Sequence, residues 1–364
     1  MRRSARITIH PEALQNNLKQ AKIAAPHSKV NAVIKANAYG HGAVETAGIL
    51  YQISDGFAVS CVPEALELRQ AGIDLPITVL QGHQSVDDLR IAAAYQLRLV
   101  VHDDRQLSLL NQINLKSQQH FDLGIKIDTG MHRLGFAPER AETIYTQLKN
   151  HAQVNPDELI MMTHFSCADE RKNNASQKQL ETFANVCENI KAPKSIANSA
   201  GILEWQASHA DWIRPGIMLY GSSPFADSHR DEHHLQAAMT LNAPVIAIHD
   251  LKKGDSIGYG ASYQCPKKMR VATIACGYAD GYPRHAATGT PVYINGQETT
   301  LLGRVSMDMI VIDVTDFKEN PVAVGDTAEL WGANLSVDKV AQSAETIAYE
   351  LLCNAGNLCT RSGI

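Results

Sequence analysis

Short apolar runs alternate with amphipathic segments along the first two thirds of the chain. Eight runs have the length and composition of strands, and several are apolar on both faces, as buried parallel strands are. They span residues 30–35, 56–62, 77–81, 97–102, 122–127, 159–164, 195–198 and 212–220. Helical periodicity is found at 11–24, 41–51, 63–71, 85–95, 103–113, 138–149 and 174–189. This alternation predicts an α/β fold, a (β/α)₈ TIM-type barrel.

The pattern changes after about residue 236, where strand-like runs follow one another between turn signals. These runs cover 241–249, 270–276, 291–294, 298–304, 309–314 and 328–331, and one helix is predicted over 336–352. Asn295 and Gly296 between two of the runs are typical of a type I′ hairpin. We therefore expect a barrel domain over residues 1–235 and a mainly β C-terminal domain over 236–364.

Composition and charge exclude several classes of protein. The chain has 33 Lys and Arg against 38 Asp and Glu, a net charge of −5, which argues against a nucleic-acid binder. No apolar stretch is long enough for a membrane span or a signal peptide. The 7 cysteines form no C-x-x-C pair, so we expect no metal site and reduced thiols in a cytoplasmic protein. A doubly wound dinucleotide-binding sheet is disfavoured because no G-x-G-x-x-G follows a strand.

Candidate chemistry follows from the barrel, because barrel active sites lie at the carboxyl ends of the strands. The first run ends at Lys35, where burial of a charged amine is costly. One interpretation is a lysine in a salt bridge at the barrel rim. The other is a desolvated, neutral amine, which is what formation of a Schiff base requires.

Further polar residues follow the later runs. Lys126 and Asp128 alternate onto one face and Arg133 follows, which indicates either a paired ion network or an anion site. His164 ends the sixth run, and Ser199 and Gly216 follow the seventh and eighth, where barrels commonly bind phosphate. A reactive lysine, a phosphate pocket and two arginines match pyridoxal 5′-phosphate. No acidic partner for its pyridine nitrogen is evident, and Arg214 is the best-placed candidate.

Six motifs in this order resemble those of the bacterial alanine racemase family over almost the whole chain. They are AVIKANAYGHG at 32–42, KIDTGMHRLG at 126–135, RPGIMLYG at 214–221, GYG at 258–260, GYADG at 277–281 and GRVSMD at 303–308. The resemblance implies a pyridoxal-phosphate-dependent enzyme that interconverts L- and D-alanine, supplies D-alanine for peptidoglycan, and works as a homodimer with shared active sites.

The resemblance also implies roles for particular residues. Lys35 would carry the cofactor and act as one base, and Tyr259 of the other subunit would be the second base on the opposite face. Arg133 and Met307 would contact substrate, and Lys126 matches a lysine that is carbamylated in many members. The expected cofactor-binding residues are Lys35, Tyr39, His164, Asn198, Ser199, Arg214, Gly216, Ile217 and Tyr349.

Lysine and tyrosine both have ordinary pKa values near 10, so each needs a lower pKa to act at neutral pH. We expect His164 and Arg214 to supply positive charge near Tyr259. Three alternatives stay open: an amino-acid racemase of broader specificity, a non-catalytic protein of cofactor homeostasis, and a barrel decarboxylase. The decarboxylase is disfavoured because such enzymes place an acid at the pyridine nitrogen, where Arg214 is expected.

Overall fold

Eight parallel strands close into a barrel in the computed structural model, which describes residues 3–115, 119–225 and 230–362. A separate strand, β1 (Arg6–Ile9), comes before them in the chain. Every predicted barrel strand is present, so the (β/α)₈ prediction is confirmed. The barrel strands are β2 (Lys29–Val33), β3 (Gly56–Val59), β4 (Ile77–Val79), β5 (Arg98–Val101), β6 (Leu123–Lys126), β7 (Ile160–Met162), β8 (Lys194–Ser195) and β9 (Trp212–Ile213).

Helices connect the strands, and the seven predicted segments are all helical. Pro11 begins the first helix at the predicted residue, and Ser85 caps a later one by accepting a 3.1 Å bond from the Asp88 amide. Two further short helices follow β2 and β8 directly. The helices of this part are α1 (Pro11–Ala24), α2 (Lys35–Tyr39), α3 (Ala43–Leu50), α4 (Val62–Gln70), α5 (Val86–Ala94), α6 (Asp104–Leu110), α7 (Ala141–Lys149), α8 (Ala175–Val186) and α9 (Ser199–Glu204).

The last barrel strand is much shorter than the run that predicted it. The run covers 212–220, but β9 ends at Ile213 and residues 217–220 form a 3₁₀ turn. Pro215 has no amide hydrogen to continue a ladder, and Gly216 takes a φ of −118° with a ψ of −100°. The apolar residues beyond them are buried in the turn, which is why the run looked continuous.

The second part of the chain is mainly antiparallel sheet. Asn295 and Gly296 have φ of 48° and 91°, as the predicted type I′ hairpin requires. Its strands are β10 (Met239–Leu251), β11 (Ser256–Ile257), β12 (Tyr263–Gln264), β13 (Met269–Ile274), β14 (Pro291–Ile294), β15 (Gln297–Leu302), β16 (Ile310–Asp313), β17 (Thr327–Trp331) and β18 (Thr360–Ser362). The order of the large sheet is β13-β16-β15-β14-β17-β10-β1-β18.

Both ends of the chain therefore meet in this sheet. Strand β1 pairs with β10 antiparallel and with β18 parallel, so residues 6–9 lie in the β structure rather than in the barrel. The division at 235/236 remains a prediction. Among the described residues, none of the helices has the length and apolar character that crossing a membrane requires.

The single helix expected over 336–352 is two helices. They are α10 (Val337–Ser343) and α11 (Ala348–Leu358), and Glu345 between them has a left-handed φ of 52°. The break redirects the chain, while the apolar positions on either side stay buried, so hydrophobic periodicity alone does not reveal it. As a result α11 lies against α2, next to Lys35.

Candidate active site

A cavity of about 920 Å³ lies where the expected site residues converge at the barrel mouth. Of the predicted residues, eleven line it: Lys35, Tyr39, Lys126, Arg133, His164, Asn198, Ser199, Arg214, Gly216, Ile217 and Tyr349. The other two, Tyr259 and Met307, do not. They lie in the β part of the chain and are 71 % and 53 % exposed. A single chain thus brings eleven of the predicted residues to one cavity and leaves the side chains of Tyr259 and Met307 exposed to solvent.

Lys35 starts a left-handed turn rather than ending a strand. The four residues from Ala36 to Tyr39 have φ between 51° and 53°, which costs roughly 1–2 kcal/mol for each residue with a Cβ. Side chains hold this turn in place: Glu64 accepts the Ala36 amide at 2.9 Å, and Asn37 accepts the Ala43 amide at 2.8 Å. The turn brings Lys35 and Tyr39 to the same cavity.

Hydroxyl groups and backbone around Ser199 form a cradle for an anion. The Ser199 Oγ accepts the amides of Gly216 at 2.9 Å and Met218 at 3.3 Å, which leaves its proton to donate. A Cβ at residue 216 would lie 3.0 Å from the Tyr39 hydroxyl. Burial raises the pKa of Tyr39 far above its usual range and that of Tyr349 to about 12. Both phenols therefore stay protonated and are hydrogen-bond donors.

Arg214 is 5 % exposed and rigidly held. It donates to the carbonyl oxygens of Thr163 at 2.7 Å and Ile196 at 3.1 Å, and to the Ser195 hydroxyl. Burial lowers its pKa to about 10, so the guanidinium is still charged at neutral pH. Ser195 and Thr163 were not among the predicted site residues, and their position at the carboxyl ends of β8 and β7 is the signal that was available.

His164 does not supply the positive charge that was expected of it. Its Nδ1 lies 3.4 Å from Arg214 Nη2. Burial, and then the charges of Arg214 and Lys126, place the pKa of His164 well below its usual range. The imidazole is neutral at pH 7, so that expectation was wrong, and Arg214 alone of the two residues is a cation.

The cavity carries an excess of positive charge. Lys35, Lys126, Arg133 and Arg214 line it, and the described residues of its wall include no Asp or Glu. Burial and then the charge of Arg133 lower the pKa of Lys35. Burial, followed by Arg214 and Arg133, lowers that of Lys126 to about 8. Such a wall is complementary to an anionic ligand, and it favours the neutral form of both lysines.

The pairing of Lys126 with Asp128 is absent. Asp128 Oδ1 instead accepts the amides of Gly130, Met131 and His132 at 3.0, 3.1 and 3.0 Å. A carboxylate with three local amide donors shapes the loop that carries Arg133. Alternation along the strand could not foresee that the loop would turn back onto Asp128.

Helix α11 fixes the lysine turn from the other side. A Cβ at Gly356 would lie 2.1 Å from the Gly40 carbonyl oxygen, so the two backbones are in direct contact. Tyr349 in the first turn of α11 reaches the cavity, with its ring 5.7 Å from that of Tyr39. Gly356 was not among the predicted site residues, although a glycine within an apolar helical pattern is a signal for close backbone packing.

Comparisons with known proteins identify the same family over nearly the whole chain. Residues 9–224 match the family "Alanine racemase, N-terminal domain", and residues 238–362 match "Alanine racemase, C-terminal domain". A curated alanine racemase of Halorhodospira halophila is 47 % identical over 97 % of this chain and 96 % of its own length.

Solved structures of alanine racemases share this fold over nearly their full length. The biosynthetic alanine racemase from Pseudomonas aeruginosa superposes with a TM-score of 0.95 at 41 % identity, covering 100 % of this chain and 99 % of that one. An alanine racemase from Bartonella henselae, described with covalently bound pyridoxal phosphate, has a TM-score of 0.86 at 28 % identity and covers 99 % of each chain.

Proposed function

This chain belongs to the alanine racemase family of isomerases, and we propose that it interconverts L- and D-alanine with pyridoxal 5′-phosphate and two bases. One observation carries the proposal. The cavity joins a lysine of lowered pKa to a cradle of hydroxyl and amide groups, within a wall that bears four basic side chains and no described carboxylate. An anionic cofactor with a reactive carbonyl fits that donor set.

The residues present fit the cofactor group by group. The Lys35 amine would hold its carbonyl carbon covalently, and Arg214 would meet its pyridine nitrogen. Arginine can only donate there, so it keeps the ring nitrogen unprotonated. The groups proposed to hold the phosphate and ring are Tyr39, His164, Asn198, Ser199, Gly216, Ile217 and Tyr349. When bound, pyridoxal phosphate makes the proton on the substrate α-carbon acidic.

Inversion at carbon requires a proton to leave one face and return to the other, so two bases on opposite faces are the simplest arrangement. We assign Lys35 to one face, because its lowered pKa favours the neutral amine that accepts a proton. We assign Tyr259 of a second copy to the other. Its 71 % exposure outside its own chain's cavity supports that assignment, which makes the working enzyme a homodimer.

Two further assignments concern the substrate. Arg133 lines the cavity and would bind the substrate carboxylate, while Met307 would contact substrate in the partner's site. Lys126, with a pKa of about 8, is proposed to be carbamylated, since the neutral amine is the form that reacts with carbon dioxide. A carbamate would place a negative charge beside Arg133 and orient it.

The D-alanine formed would supply peptidoglycan synthesis in the cytoplasm.

The test is proton NMR of L-alanine in D₂O with the purified, cofactor-loaded protein. We expect loss of the α-proton signal and formation of D-alanine. Borohydride reduction followed by peptide mapping should place the cofactor on Lys35. Tyr259→Phe should abolish inversion, whereas Tyr95→Phe, at a phenol remote from the cavity, should not.

The alternatives predict different results. Cofactor attached to Lys35 without exchange of the α-proton would identify a protein that only binds the cofactor. Exchange and inversion that survive Tyr259→Phe would refute the two-base assignment. Equal rates with several amino acids would indicate broader specificity.

A further inference from the structure

The loop that carries Met307 rests on the turn at residues 277–280. Amides of Tyr278 and Ala279 donate to the carbonyl oxygens of Ser306 and Met307 at 3.1 and 3.0 Å. A Cβ at Gly277 would lie 2.3 Å from the Ser306 oxygen and 2.4 Å from that of Met307. The two backbones are therefore in contact, and the position of the turn determines where Met307 lies.

Asp280 holds this turn from within. Its carboxylate is 1 % exposed, and its Oδ2 accepts the Gly277 amide at 2.9 Å. The cation that meets it is Arg3, from the N-terminal segment, which donates through Nε to Oδ1 and through Nη2 to Oδ2 at 3.0 Å. A bidentate pair of this kind gives direction as well as energy, and a buried carboxylate without its cation is costly.

Arg3 also contacts the loop itself, through the nitrogen that already donates to Asp280 Oδ2. Its Nη2 also lies 2.5 Å from Oδ1 of Asp308, the residue next to Met307. The Arg3 guanidinium thus links the turn at residues 277–280 to the loop that carries Met307. The anchor of Arg3 is strand β1, which is paired on both edges with β10 and β18 and so is fixed to the sheet.

We propose that Arg3 is a positioning residue for racemisation: by clamping Asp280 and Asp308 together it holds Met307 where the partner's substrate binds. This inference rests on the proposed function, since it needs Met307 to meet substrate across the dimer. Arg3 itself touches neither substrate nor cofactor. Its loss would let the loop move, so the contact that Met307 makes with bound alanine would weaken in the ground state.

The experiment compares Arg3→Ala and Arg3→Lys with the matched control Arg6→Ala in the cofactor-loaded enzyme. Arg6 is an exposed arginine of the same segment. We expect Arg3→Ala to raise KM for L-alanine by about three- to tenfold with kcat little changed, because binding contacts are lost rather than proton-transfer groups. Arg3→Lys keeps the positive charge but not the bidentate guanidinium, so it should recover part of the affinity for L-alanine. Arg6→Ala should match wild type.

Hydrogen–deuterium exchange supplies a readout that does not depend on turnover. The amides of Tyr278 and Ala279 should exchange faster in Arg3→Ala, and Asp308→Asn should reproduce part of the rise in KM. A general loss of folded protein would instead lower apparent kcat at unchanged KM. That result, or unchanged hydrogen–deuterium exchange at these amides, would overturn the inference about Arg3. The proposed function would still stand if the wild-type enzyme is active. An inactive wild type would refute the proposed function and the inference with it.

Discussion

Substitution of Gly356 by alanine tests whether α11 positions Lys35, the proposed catalytic lysine. Gly356 lies inside α11, and a Cβ built there would stand 2.1, 2.2 and 2.4 Å from the carbonyl oxygen, Cα and carbonyl carbon of Gly40. All three are backbone atoms, so no flexible side chain can move aside. Gly40 ends the left-handed turn that begins at Lys35, and α11 carries Tyr349.

The size of the effect follows from those distances. Ordinary contact begins near 3.4 Å, so helix and turn must separate by about 1.3 Å at this point. Overpacking of this kind costs about 1–3 kcal/mol of stability, and a displacement near 1 Å at a reacting group costs about 100-fold in rate. We therefore expect Gly356→Ala to lower kcat/KM by about 100-fold, to weaken cofactor binding and to lower the melting temperature.

The assays are alanine racemisation in both directions, fluorescence titration of the apoenzyme with pyridoxal phosphate, and thermal unfolding. Gly48→Ala is the matched control, because Gly48 is also within a helix and a Cβ there meets nothing within 4 Å. That variant should gain up to about 1 kcal/mol and keep full activity. Wild-type activity and cofactor affinity in Gly356→Ala would refute the reasoning that this contact positions Lys35.

Two other predictions concern single groups in the cavity. Ser199→Ala should weaken binding of pyridoxal phosphate by about tenfold, because the hydroxyl that we propose as a donor to the charged phosphate is lost, and the same titration measures it. Ser108→Ala on the outer helix α6 should have no effect. Equal affinities of wild type and Ser199→Ala for the cofactor would contradict the assignment. With ¹³C-bicarbonate, a carbamate carbon signal should grow as pH rises through about 8, where Lys126 loses its proton, and Lys126→Ala should remove it. A carbamate signal that persists in Lys126→Ala, or no signal in wild type at any pH, would contradict carbamylation of Lys126.

Much of the fold is encoded locally and was predictable. The helix over 11–24 and the hairpin at Asn295 and Gly296 follow from proline placement, apolar spacing and turn chemistry, each of which acts over a few residues. The errors lie where local patterns are ambiguous. The run at 212–220 is apolar because its last residues are buried in a 3₁₀ turn, not because all of them belong to a strand. The helix predicted over 336–352 is interrupted at Glu345.

The pairing of both chain ends in one sheet was not predictable by the same means. Strand β1 joins β10 and β18 across more than two hundred residues of sequence, and no local signal specifies which distant edge a short strand will join. The proposed clamp by Arg3 depends on that long-range pairing, as does its contact with Asp280.

The sequence by itself was enough to predict eleven of the residues that line the cavity at the barrel mouth. Strand alternation, with the rule that barrel chemistry lies at the carboxyl ends of strands, and the family resemblance together identified the residues that converge on the cavity, from Lys35 to Tyr349. Residue types carry that information, because an amine, a hydroxyl and a guanidinium have fixed chemistry wherever they lie.

Only the tertiary structure decided how those groups behave. Burial, followed by the charges of neighbouring cations, lowers the pKa values of Lys35 and Lys126 and leaves His164 neutral. The left-handed turn after β2 and the glycine contact with α11 position the lysine. Desolvation and through-space charge depend on distances between segments that are far apart in the chain, and the sequence does not contain those distances.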